Sequence, residues 1–495
     1  MASKLKLQKI TALLLIILLS GTLPADDLDD ALEGFDDFEN ISTKGSSNKT
    51  DPDLANDSLA ESKPTWYTFS AYTSFFGAYN FAQDSESTVA PGDLPMDFSD
   101  LSRARTKVGL NLEIKHGENW RSKIETIFWY DASWAINSRD GYTQDILDTY
   151  EFFIDLKDAH IQGSLTPYLD LKIGRQLVIW GKSDSIRITD IINPLDNRNP
   201  GIVDIEDLRL SEFMTRLDYY FGDWGLSGII IHEPRLEIEP AFGSDYRPSD
   251  IFGVPIPYAK FPDRDDPDPN IENSQYAMSL DGHFSGWDLS YYAAHVYDNR
   301  FDIEIINNSP QRTVDKIYMA GVASNIVSGS WLFKTEAALI NDINYRSTDN
   351  KNRLDALFGF EYMGFRNAIF SFELANRHIF DYEEKMLTMT LLEASAQNTF
   401  PDFVREDSIQ LAMRMSYSFD HDNAMLSYLI TLAGGNGADD KFDGGFQRLW
   451  IDYKYTDALS LNAGIVDYFS GDSIIPFYSA IENNDRIFTE LQYNF

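Results

Sequence analysis

Apolar and polar residues alternate with a period of two along most of the chain after its first 65 residues. In the segment 107–114, apolar residues occupy every second position, and Lys107 and Glu113 lie on the opposite face. The segment 449–455 alternates in the same way. Alternation over about ten residues between turn signals is typical of β-strands with one apolar face. The pattern predicts an all-β fold for residues 65–495.

The connections between these strands alternate between short turns and long loops. Short turns such as 222–223 and 285–286 are followed by longer connections such as 181–208 and 236–274. Eight short turns and nine long loops separate about 18 strands, and a count of 16 stays open if one hairpin lies outside the membrane. An even number of antiparallel strands with short periplasmic turns describes a transmembrane β-barrel, which pairs every backbone polar group. Because both chain ends lie on the short-turn side, both termini are predicted to be periplasmic.

The last residues of the chain resemble the terminal signal that the outer-membrane assembly machinery of bacteria reads. Leu491, Tyr493 and Phe495 alternate with polar residues, and Phe495 ends the chain. The alternative interpretation is the edge strand of a soluble β-sandwich. We therefore expect the assembly machinery to be a partner through Phe495, and outer-membrane lipid and lipopolysaccharide to surround the barrel.

The first 25 residues have the features of a secretory signal peptide. Lysines precede an apolar run over residues 10–19, and small residues follow it up to Ala25. Such a run is too short to span a bilayer, which argues against a membrane anchor. Residues 26–64 are acidic and poor in apolar side chains, so they predict a largely disordered periplasmic tail or, alternatively, a short helix that docks a partner. Export predicts a location in the cell outer membrane.

Composition excludes several classes of function. The absence of cysteine excludes disulfides and thiol-ligated metals. The formal net charge of −37 argues against nucleic acid as a partner, because binding it requires cations that neutralise phosphates. The seven histidines are scattered, and no catalytic motif occurs, so neither an enzyme nor a cofactor is predicted. The acidic loop 237–272 lacks the ligand spacing of a calcium loop, so it is expected to be solvated and to hold no metal.

The polar face of each strand is expected to line the lumen, since the apolar face of a lipid-embedded barrel points outward. Alternation assigns charged residues of both signs to the lumen wall, namely Lys107, Glu113, Arg121, Lys123, Glu125, Lys172, Lys334, Glu336, Arg448, Asp452, Lys454, Arg486 and Glu490. Isolated ions are costly to desolvate, so the lumen is predicted to be wet or filled by paired charges.

One stretch, residues 174–198, is denser in turn-forming and charged residues than any other part of the chain. A strand ends in Gly-Arg-Gln, and the segments Trp-Gly and Asn-Pro-Leu-Asp follow it. This pattern resembles the signature of an outer-membrane family known as domain of unknown function 1302. The run 201–210 is similar to that family as well.

The loop 181–208 is predicted to fold inward as a constriction, because it combines charges of both signs with isoleucines. The alternative is an exposed rim in which Asn193-Pro194 makes a turn. The candidates for the constriction and substrate path are Arg175, Gln176, Trp180, Lys182, Asp184, Arg187, Asp190, Asn193, Asp196 and Arg198. The charged residues among them from Lys182 onward are expected to face wall charges or the substrate. Arg175 lies on the same face of its strand as the apolar residues, so alternation points it outward. Its side chain then reaches the outer rim, unless a bulge at Gly174 turns it inward.

The family resemblance implies a more specific function than the residues alone. Proteins of that family look like partners of RND-type exporters and periplasmic lipid carriers, which implies transport of a hydrophobic or amphipathic molecule across the outer membrane. A lumen wall of mixed charge fits a lipid conduit poorly. Two alternatives therefore stay open: a general diffusion porin for small hydrophilic solutes, and a structural barrel whose tail docks a periplasmic partner. The pattern predicts no oligomeric state.

Overall fold

The structure is a computed structural model that describes residues 66–83, 89–252, 255–262, 264–300, 302–306, 309–345, 348, 350–383, 404–435, 442–471 and 476–495. These residues belong to one compact unit, Pro64–Phe495. The predicted signal peptide (1–25) and acidic tail (26–64) lie outside the described residues.

The secondary structure of the described residues is dominated by strands. They are β1 (Tyr67–Asn80), β2 (Asp100–His116), β3 (Trp120–Asp131), β4 (Phe152–Thr166), β5 (Leu169–Gln176), β6 (Glu212–Phe221), β7 (Trp224–Ile231), β8 (Gln275–Phe284), β9 (Trp287–Tyr297), β10 (Asp302–Ile306), β11 (Ser309–Thr313), β12 (Lys316–Ser328), β13 (Trp331–Ile343), β14 (Lys351–Phe365), β15 (Ala368–Ile379), β16 (Asp407–Phe419), β17 (Ala424–Gly435), β18 (Phe442–Lys454), β19 (Leu459–Ser470) and β20 (Arg486–Asn494). Short helices lie in the loops: α1 (Ser133–Ile136), α2 (Gln144–Tyr150), α3 (Ile205–Leu208), α4 (Pro476–Ile481) and the 3₁₀ turns Arg139–Gly141 and Tyr258–Lys260. Among the described residues, no helix has the length and apolar character needed to cross a membrane.

Eighteen of these strands form one closed antiparallel barrel, which confirms the predicted all-β fold and strand number. Each barrel strand pairs with the next along the chain, and β20 closes the barrel on β1 from Tyr72↔Asn494 to Asn80↔Arg486. Strands β10 and β11 pair only with each other among the described strands, so β9 pairs with β12. The short turns and the terminal Phe495 lie at one end of the barrel, which we call the short-turn end; the other is the long-loop end.

The outer surface of the barrel carries exposed apolar side chains between two groups of aromatic residues. The group near the short-turn end includes Tyr168, Tyr219, Phe221, Trp287, Trp331, Phe365, Tyr417, Phe419, Tyr455, Tyr493 and Phe495. The group near the long-loop end includes Phe75, Tyr79, Tyr130, Phe152, Phe213, Tyr276, Tyr318 and Phe442. Two aromatic girdles around an apolar band are typical of barrels embedded in a lipid bilayer.

The wall of the barrel is not equally high on all sides. Strands β5 and β7 have eight residues each, whereas β4 has 15 and β2 has 17. At the long-loop end, β4 pairs with β3 as far as Phe152, but with β5 only as far as Ala159. The rim is therefore low at β5–β7. The buried core lies inside the barrel, where the loops 177–211 and 232–274 pack against the wall.

Candidate functional site

The connection between β5 and β6, residues 177–211, leaves the wall and crosses the lumen; we call it the inner loop. Near its start, Trp180 stacks on Tyr292 of β9, with ring centroids 4.8 Å apart. Near its middle, the carbonyl oxygen of Pro200 accepts a hydrogen bond of 2.5 Å from the hydroxyl of Tyr468 on β19. Strands β9 and β19 lie nearly opposite each other in the order of the barrel strands. The inner loop therefore spans the interior from one side to the other.

Glu336 of β13 fixes the first turn of the inner loop. Its carboxylate accepts hydrogen bonds from the backbone N–H groups of Lys182 (2.5 Å), Ser183 (2.7 Å) and Thr189 (3.1 Å), and from the Thr189 hydroxyl (2.7 Å). Successive N–H groups that converge on one anion form a nest, and hydrogen bonds to an ionised acceptor are stronger than neutral ones. The turn is therefore held against the wall by one side chain.

Glu373 of β15 holds the next residues of the inner loop in the same way. Its carboxylate accepts hydrogen bonds from the N–H groups of Asp184 (2.6 Å), Ser185 (3.0 Å) and Ile186 (3.0 Å). Glu373 is 1% exposed and Glu336 3%, so both carboxylates are shielded from water by the loop that they bind. Together they suspend the inner loop from two wall strands.

Gly181 offers a test of how closely the inner loop must approach Glu336. Its φ is +84°, and a Cβ there would lie 2.9 Å from both carboxylate oxygens. Gly222 in a short turn also has a positive φ of +59°, but a Cβ there would meet nothing within 4 Å. Both Gly→Ala substitutions cost about 1–2 kcal/mol of backbone strain. We expect only Gly181→Ala to displace the loop, seen as a larger and noisier single-channel current; equal currents in the two variants would contradict this contact.

Lys182 and Asp184 also make ion pairs with the wall. Lys334 of β13 donates to Asp184 at 2.6 Å, and the ammonium of Lys182 lies 3.7 Å from Asp288 on β9. These charges lie beside the Trp180–Tyr292 stack. The first turn of the inner loop thus combines paired charges with buried aromatic rings.

Apolar side chains of the inner loop form the centre of the largest buried cluster. Ile186, Ile188 and Ile192 are 7%, 1% and 3% exposed, and they pack with wall residues such as Met214 and Met319. Burial of this apolar surface offsets the conformational entropy that the loop loses when it is held in one conformation. The isoleucines therefore act together with the two carboxylates to keep the loop inside the barrel.

Four predicted constriction residues form their ion pairs within the inner loop. Arg187 lies 3.2 Å from Asp190, which also accepts a hydrogen bond of 2.9 Å from Arg209. Arg198 contacts Asp196 at 2.5 Å. The structure therefore corrects the expectation of wall partners for Arg187 and Asp190, because a compact loop lets a charged side chain pair with a neighbour two or three positions away. Asp196 still interacts electrostatically with Arg105 of β2, and Arg198 lies over Trp129 and Phe153 of the wall.

Arg175 lies on the outer face of the barrel. It pairs across the strands with Phe213, which is 43% exposed, and forms an ion pair with Glu233. The register of β4 and β5 is continuous from Ala159↔Arg175 through Gly174, so there is no bulge that turns Arg175 inward. Gly174 is required instead by its φ of +130° and by the Ala159 carbonyl oxygen, which a Cβ would approach to 2.2 Å. Of the two positions left open for Arg175, the structure shows the outer one, so Arg175 is not part of the constriction inside the lumen.

Gln176 and Asn193 bind the backbone at the root of the inner loop. The Gln176 amide donates to the carbonyl of Met214 at 3.2 Å. The Asn193 side chain accepts from the N–H of Val178 at 2.7 Å and donates to the carbonyl of Leu210 at 2.8 Å. Both side chains thus shape the point where the loop enters the lumen.

The predicted wall charges lie on the inner face, and many of them are paired. The pairs are Lys107–Glu490 (3.1 Å), Lys123–Glu125 (2.9 Å), Lys334–Glu361, Arg448–Asp204 (2.5 Å) and Arg486–Asp245 (3.2 Å), while Asp452 accepts hydrogen bonds from Trp450 and Asn462. Glu113, Arg121, Lys172 and Lys454 lie nearer the short-turn end, where the lumen side chains are less buried. The long-loop half of the lumen is therefore packed, and the short-turn half is more accessible to water.

The connection between β7 and β8, residues 232–274, also enters the barrel; we call it the companion loop. Asp245 is 4% exposed and lies 3.2 Å from the guanidinium groups of both Arg103 on β2 and Arg486 on β20. Burial raises the pKa of Asp245, but the two guanidinium groups outweigh it and hold that pKa below its ordinary value. The expectation that this acidic loop is solvated is therefore wrong for Asp245, although Asp266 is exposed.

Glu237 gives the companion loop a pH dependence. Burial raises its pKa from 4.5 to about 7, against the opposing charge of Arg187, and Asn197 donates a hydrogen bond of 2.8 Å to it. Because the folded pKa exceeds the unfolded one, the contribution to stability is complete below the unfolded pKa and is lost as the pH rises through about 7. We expect amides of the companion loop to be less protected from hydrogen exchange at about pH 8 than at about pH 5, after correction for intrinsic exchange.

Glu237→Gln should remove this pH difference, because the amide does not titrate. Glu272→Gln is the matched control, since Glu272 belongs to the same loop and is exposed. A pH difference that survives in Glu237→Gln would contradict the assignment.

Several residues of the site escaped prediction from the sequence. Glu373 lies between Phe372 and Leu374 in an alternating segment, so the reasoning that found Glu336 could have found it. Asp245 lies in a loop, where no periodicity assigns a side chain to a partner. Within the described residues, no group of three or more histidine or acidic residues could hold a metal ion.

The sequence matches the family described as "Protein of unknown function (DUF1302)" over residues 34–495. The chain belongs to this family. The DUF1302 resemblance noted in the sequence is thus confirmed and extends over nearly the whole chain. A search of curated protein sequences found no match.

Solved structures share the fold of this DUF1302 chain at low sequence identity. OccAB1 of Acinetobacter baumannii has a TM-score of 0.50 and 10% identity, covering 89% of this chain and 99% of that chain. OccAB2 of the same organism has a TM-score of 0.48 and 10% identity, with 87% and 98% covered. Pseudomonas aeruginosa OpdK, solved with vanillate, has a TM-score of 0.48 and 8% identity, with 87% and 98% covered. The likeness to OccAB1 supports the fold of an outer-membrane porin for this chain.

Proposed function

We propose that this protein is a substrate-selective channel of the outer membrane, whose passage is narrowed by the inner loop. The observation that carries the proposal is the suspension of the inner loop from Glu336 and Glu373 across the lumen. A barrel of 18 strands is too wide for its own side chains to fill, so a loop fixed inside it determines what passes. The porin fold of the solved structures supports the location in the outer membrane and argues for a channel rather than an enzyme.

The substrate is a hydrophobic or amphipathic small molecule or lipid, according to this proposal. The composition of the inner loop supports it: Trp180, which stacks on Tyr292, and the ion-paired Lys182 and Asp184 lie within five residues, so a molecule that displaces this turn would meet apolar and polar side chains together. The family resemblance suggests an RND-type exporter or a periplasmic lipid carrier as the partner at the periplasmic side.

A second candidate is a general diffusion porin for small hydrophilic solutes. It is favoured by the ion pairs in the short-turn half of the lumen, such as Lys123–Glu125, in which both side chains are more than a quarter exposed. Water can reach such pairs, and hydrophilic solutes could follow the same path. The two candidates differ in the expected conductance.

Deletion of residues 183–198 tests the proposal. We expect small or substrate-blocked current steps for the intact protein in planar bilayers, and steps about twofold larger or more after the deletion, because an unobstructed barrel of this width holds an aqueous channel. Deletion of residues 26–64 is the control and should leave the current unchanged. Large stable steps in the intact protein would favour the diffusion porin, and equal steps with and without 183–198 would contradict a constriction in the inner loop.

A further inference from the structure

The low part of the rim lies within the thickness of the membrane. A transmembrane strand needs about 9–11 residues to cross the hydrocarbon region. Strands β5 and β7 have eight residues each, so the wall falls short of that thickness there. Neighbouring β4, with 15 residues, rises well above them. The barrel is thus notched on one side.

One edge of the notch is an unpaired stretch of β4. Strand β4 pairs with β3 up to Phe152, but its described pairing with β5 begins only at Ala159. Strand β6, beyond β5, begins at Glu212. Residues 152–158 therefore face a gap in the sheet. Unpaired backbone groups at membrane depth are tolerated only where protein or water covers them, so this edge requires a cover.

The cover consists of side-chain contacts that meet at Ser211. The Ser211 hydroxyl donates to the carbonyl of Leu156 at 3.2 Å, and the carbonyl of Ser211 accepts hydrogen bonds from Arg235 at 2.8 Å and from Arg175 at 3.4 Å. The Arg235 guanidinium also donates to the carboxylate of Asp155 on β4 at 2.8 Å. We call these contacts the seam. The seam can separate without breaking a backbone ladder, unlike the other joints of the wall.

A cleft of about 490 Å³ lies on the outer side of the seam. Leu156 and Phe213 give it apolar sides, and the ion pair of Arg175 with Glu233 lies in it together with His232. Charged groups on a lipid-facing surface are unfavourable unless they have a partner. The cleft therefore combines apolar surface with a guanidinium group, as recognition of an amphipathic molecule requires.

The inner loop begins directly behind the seam. Strand β5 ends at Gln176, and Val178 is already bound to Asn193 inside the lumen. Near the end of the inner loop, Arg209, two residues before Ser211, pairs with Asp190 at 2.9 Å. The seam thus lies between the outer cleft and the part of the inner loop that is inside the lumen.

We propose that the seam is a lateral port through which an amphipathic molecule with an apolar chain and an anionic headgroup passes between the membrane and the lumen. The headgroup takes the place of the Glu233 carboxylate on Arg175, and the chain lies along Leu156 and Phe213. The proposal rests on the proposed channel function and specifies the substrate class and the route.

Labelling with a photoreactive palmitic acid tests the port. The full-length protein in phospholipid vesicles is irradiated with the probe, and labelled residues are mapped by mass spectrometry. We expect labels at Leu156 and Phe213 outside and at Leu210 inside. Arg175→Ala should lower this labelling about tenfold through loss of one charge-assisted hydrogen bond. Arg139→Ala is the matched control, since Arg139 forms an exposed pair with Glu151 at the same end of the barrel. Equal labelling of both variants would overturn the headgroup site.

Locking the seam separates the port from the channel. The chain has no cysteine, so Asp155→Cys with Arg235→Cys can be linked by a short bismaleimide without side reactions. The control pair is Arg405→Cys with Asp443→Cys, which replaces a similar ion pair on another part of the rim. We expect only the first crosslink to abolish the label at Leu210, with the potassium chloride conductance unchanged and the unlinked variant labelled as before.

The two proposals fail in different ways. Labelling at Leu210 that persists in the locked barrel, or labels spread evenly over outward residues of all strands, would overturn the port whatever the conductance. Absence of conductance together with the expected labels would overturn the channel and leave the port standing.

Discussion

Replacing Glu336 and Glu373 together by glutamine is expected to release the inner loop and to raise the single-channel conductance to the level of the barrel that lacks residues 183–198. The two carboxylates accept the N–H groups of five successive residues from Lys182 to Ile186. A glutamine side chain keeps one acceptor oxygen, but the two N–H donors of its amide group would face the backbone N–H donors of the inner loop. The lost charge-assisted hydrogen bonds correspond to roughly 3–5 kcal/mol.

A change of that size shifts the equilibrium between docked and released loop by a factor of roughly one hundred to a few thousand, since each 1.4 kcal/mol or so is about tenfold. In the intact protein the inner loop is docked in nearly every molecule, whereas in the double variant it would be released in a large fraction of the molecules. Either substitution alone should give intermediate current with frequent transitions, because the remaining carboxylate still holds half of the turn.

The control for this prediction is Glu490→Gln. Glu490 is also a carboxylate of the inner face, but its partners are Lys107 and Ser74 rather than the inner loop. The Glu490→Gln substitution removes one negative charge from the lumen, as each of the other two substitutions does, but it leaves the contacts of the inner loop unchanged. A folded double variant with the current of the intact protein would show that the carboxylates do not position the constriction.

The barrel itself could be predicted almost completely from the sequence. The alternation of apolar and polar residues in segments such as 107–114 depends only on which face of the strand meets lipid. The connections between strands are alternately short and long, so their lengths give the number of strands. The charges on the wall followed from the same parity. Glu336 was assigned to the lumen in this way, and Glu373 could have been.

The contacts inside the barrel could not be predicted, because they depend on how two long loops fold against each other. Arg187 and Asp190 were expected to face wall charges or the substrate, but they pair with each other. Asp245 is separated from Arg103 and Arg486 by more than a hundred residues in each direction, so only the closed barrel brings them together. The alternation of residues along the strands predicted which charges line the barrel wall. The candidate functional site, in contrast, arises from the packing of the two loops inside the barrel.

Asp245→Asn is expected to detach the companion loop and to destabilise the barrel by about 3–5 kcal/mol, the usual loss when one member of a buried ion pair is removed. Asp245 contacts Arg103 and Arg486 at 3.2 Å, and the side chains of all three residues are at most 1% exposed. Without the carboxylate, two buried guanidinium groups face each other. Their remaining acceptors, among them Asn199 for Arg103, are neutral.

The pH dependence of this anchor is opposite to that of Glu237. Because the two guanidinium groups hold the pKa of Asp245 below its ordinary value of 3.8, its contribution is complete above that value and is lost only as the pH falls through the lower folded pKa. At neutral pH the anchor is therefore fully formed, and the Asn variant should differ most from the intact protein there.

The measurement is urea unfolding of the purified barrel at neutral pH, followed by its mobility on gels without heating, together with limited proteolysis of the companion loop. Asp266→Asn is the matched control: Asp266 lies in the same loop and pairs with Arg264, but its side chain is 53% exposed. An exposed pair of this kind contributes about 1 kcal/mol or less.

A triple variant identifies the source of the lost stability. Apolar side chains of similar volume can replace a buried ionic cluster. If Asp245→Leu combined with Arg103→Met and Arg486→Met restores the stability that Asp245→Asn loses, the loss came from the two unpaired guanidinium groups. Equal stability of Asp245→Asn and Asp266→Asn would contradict the anchor.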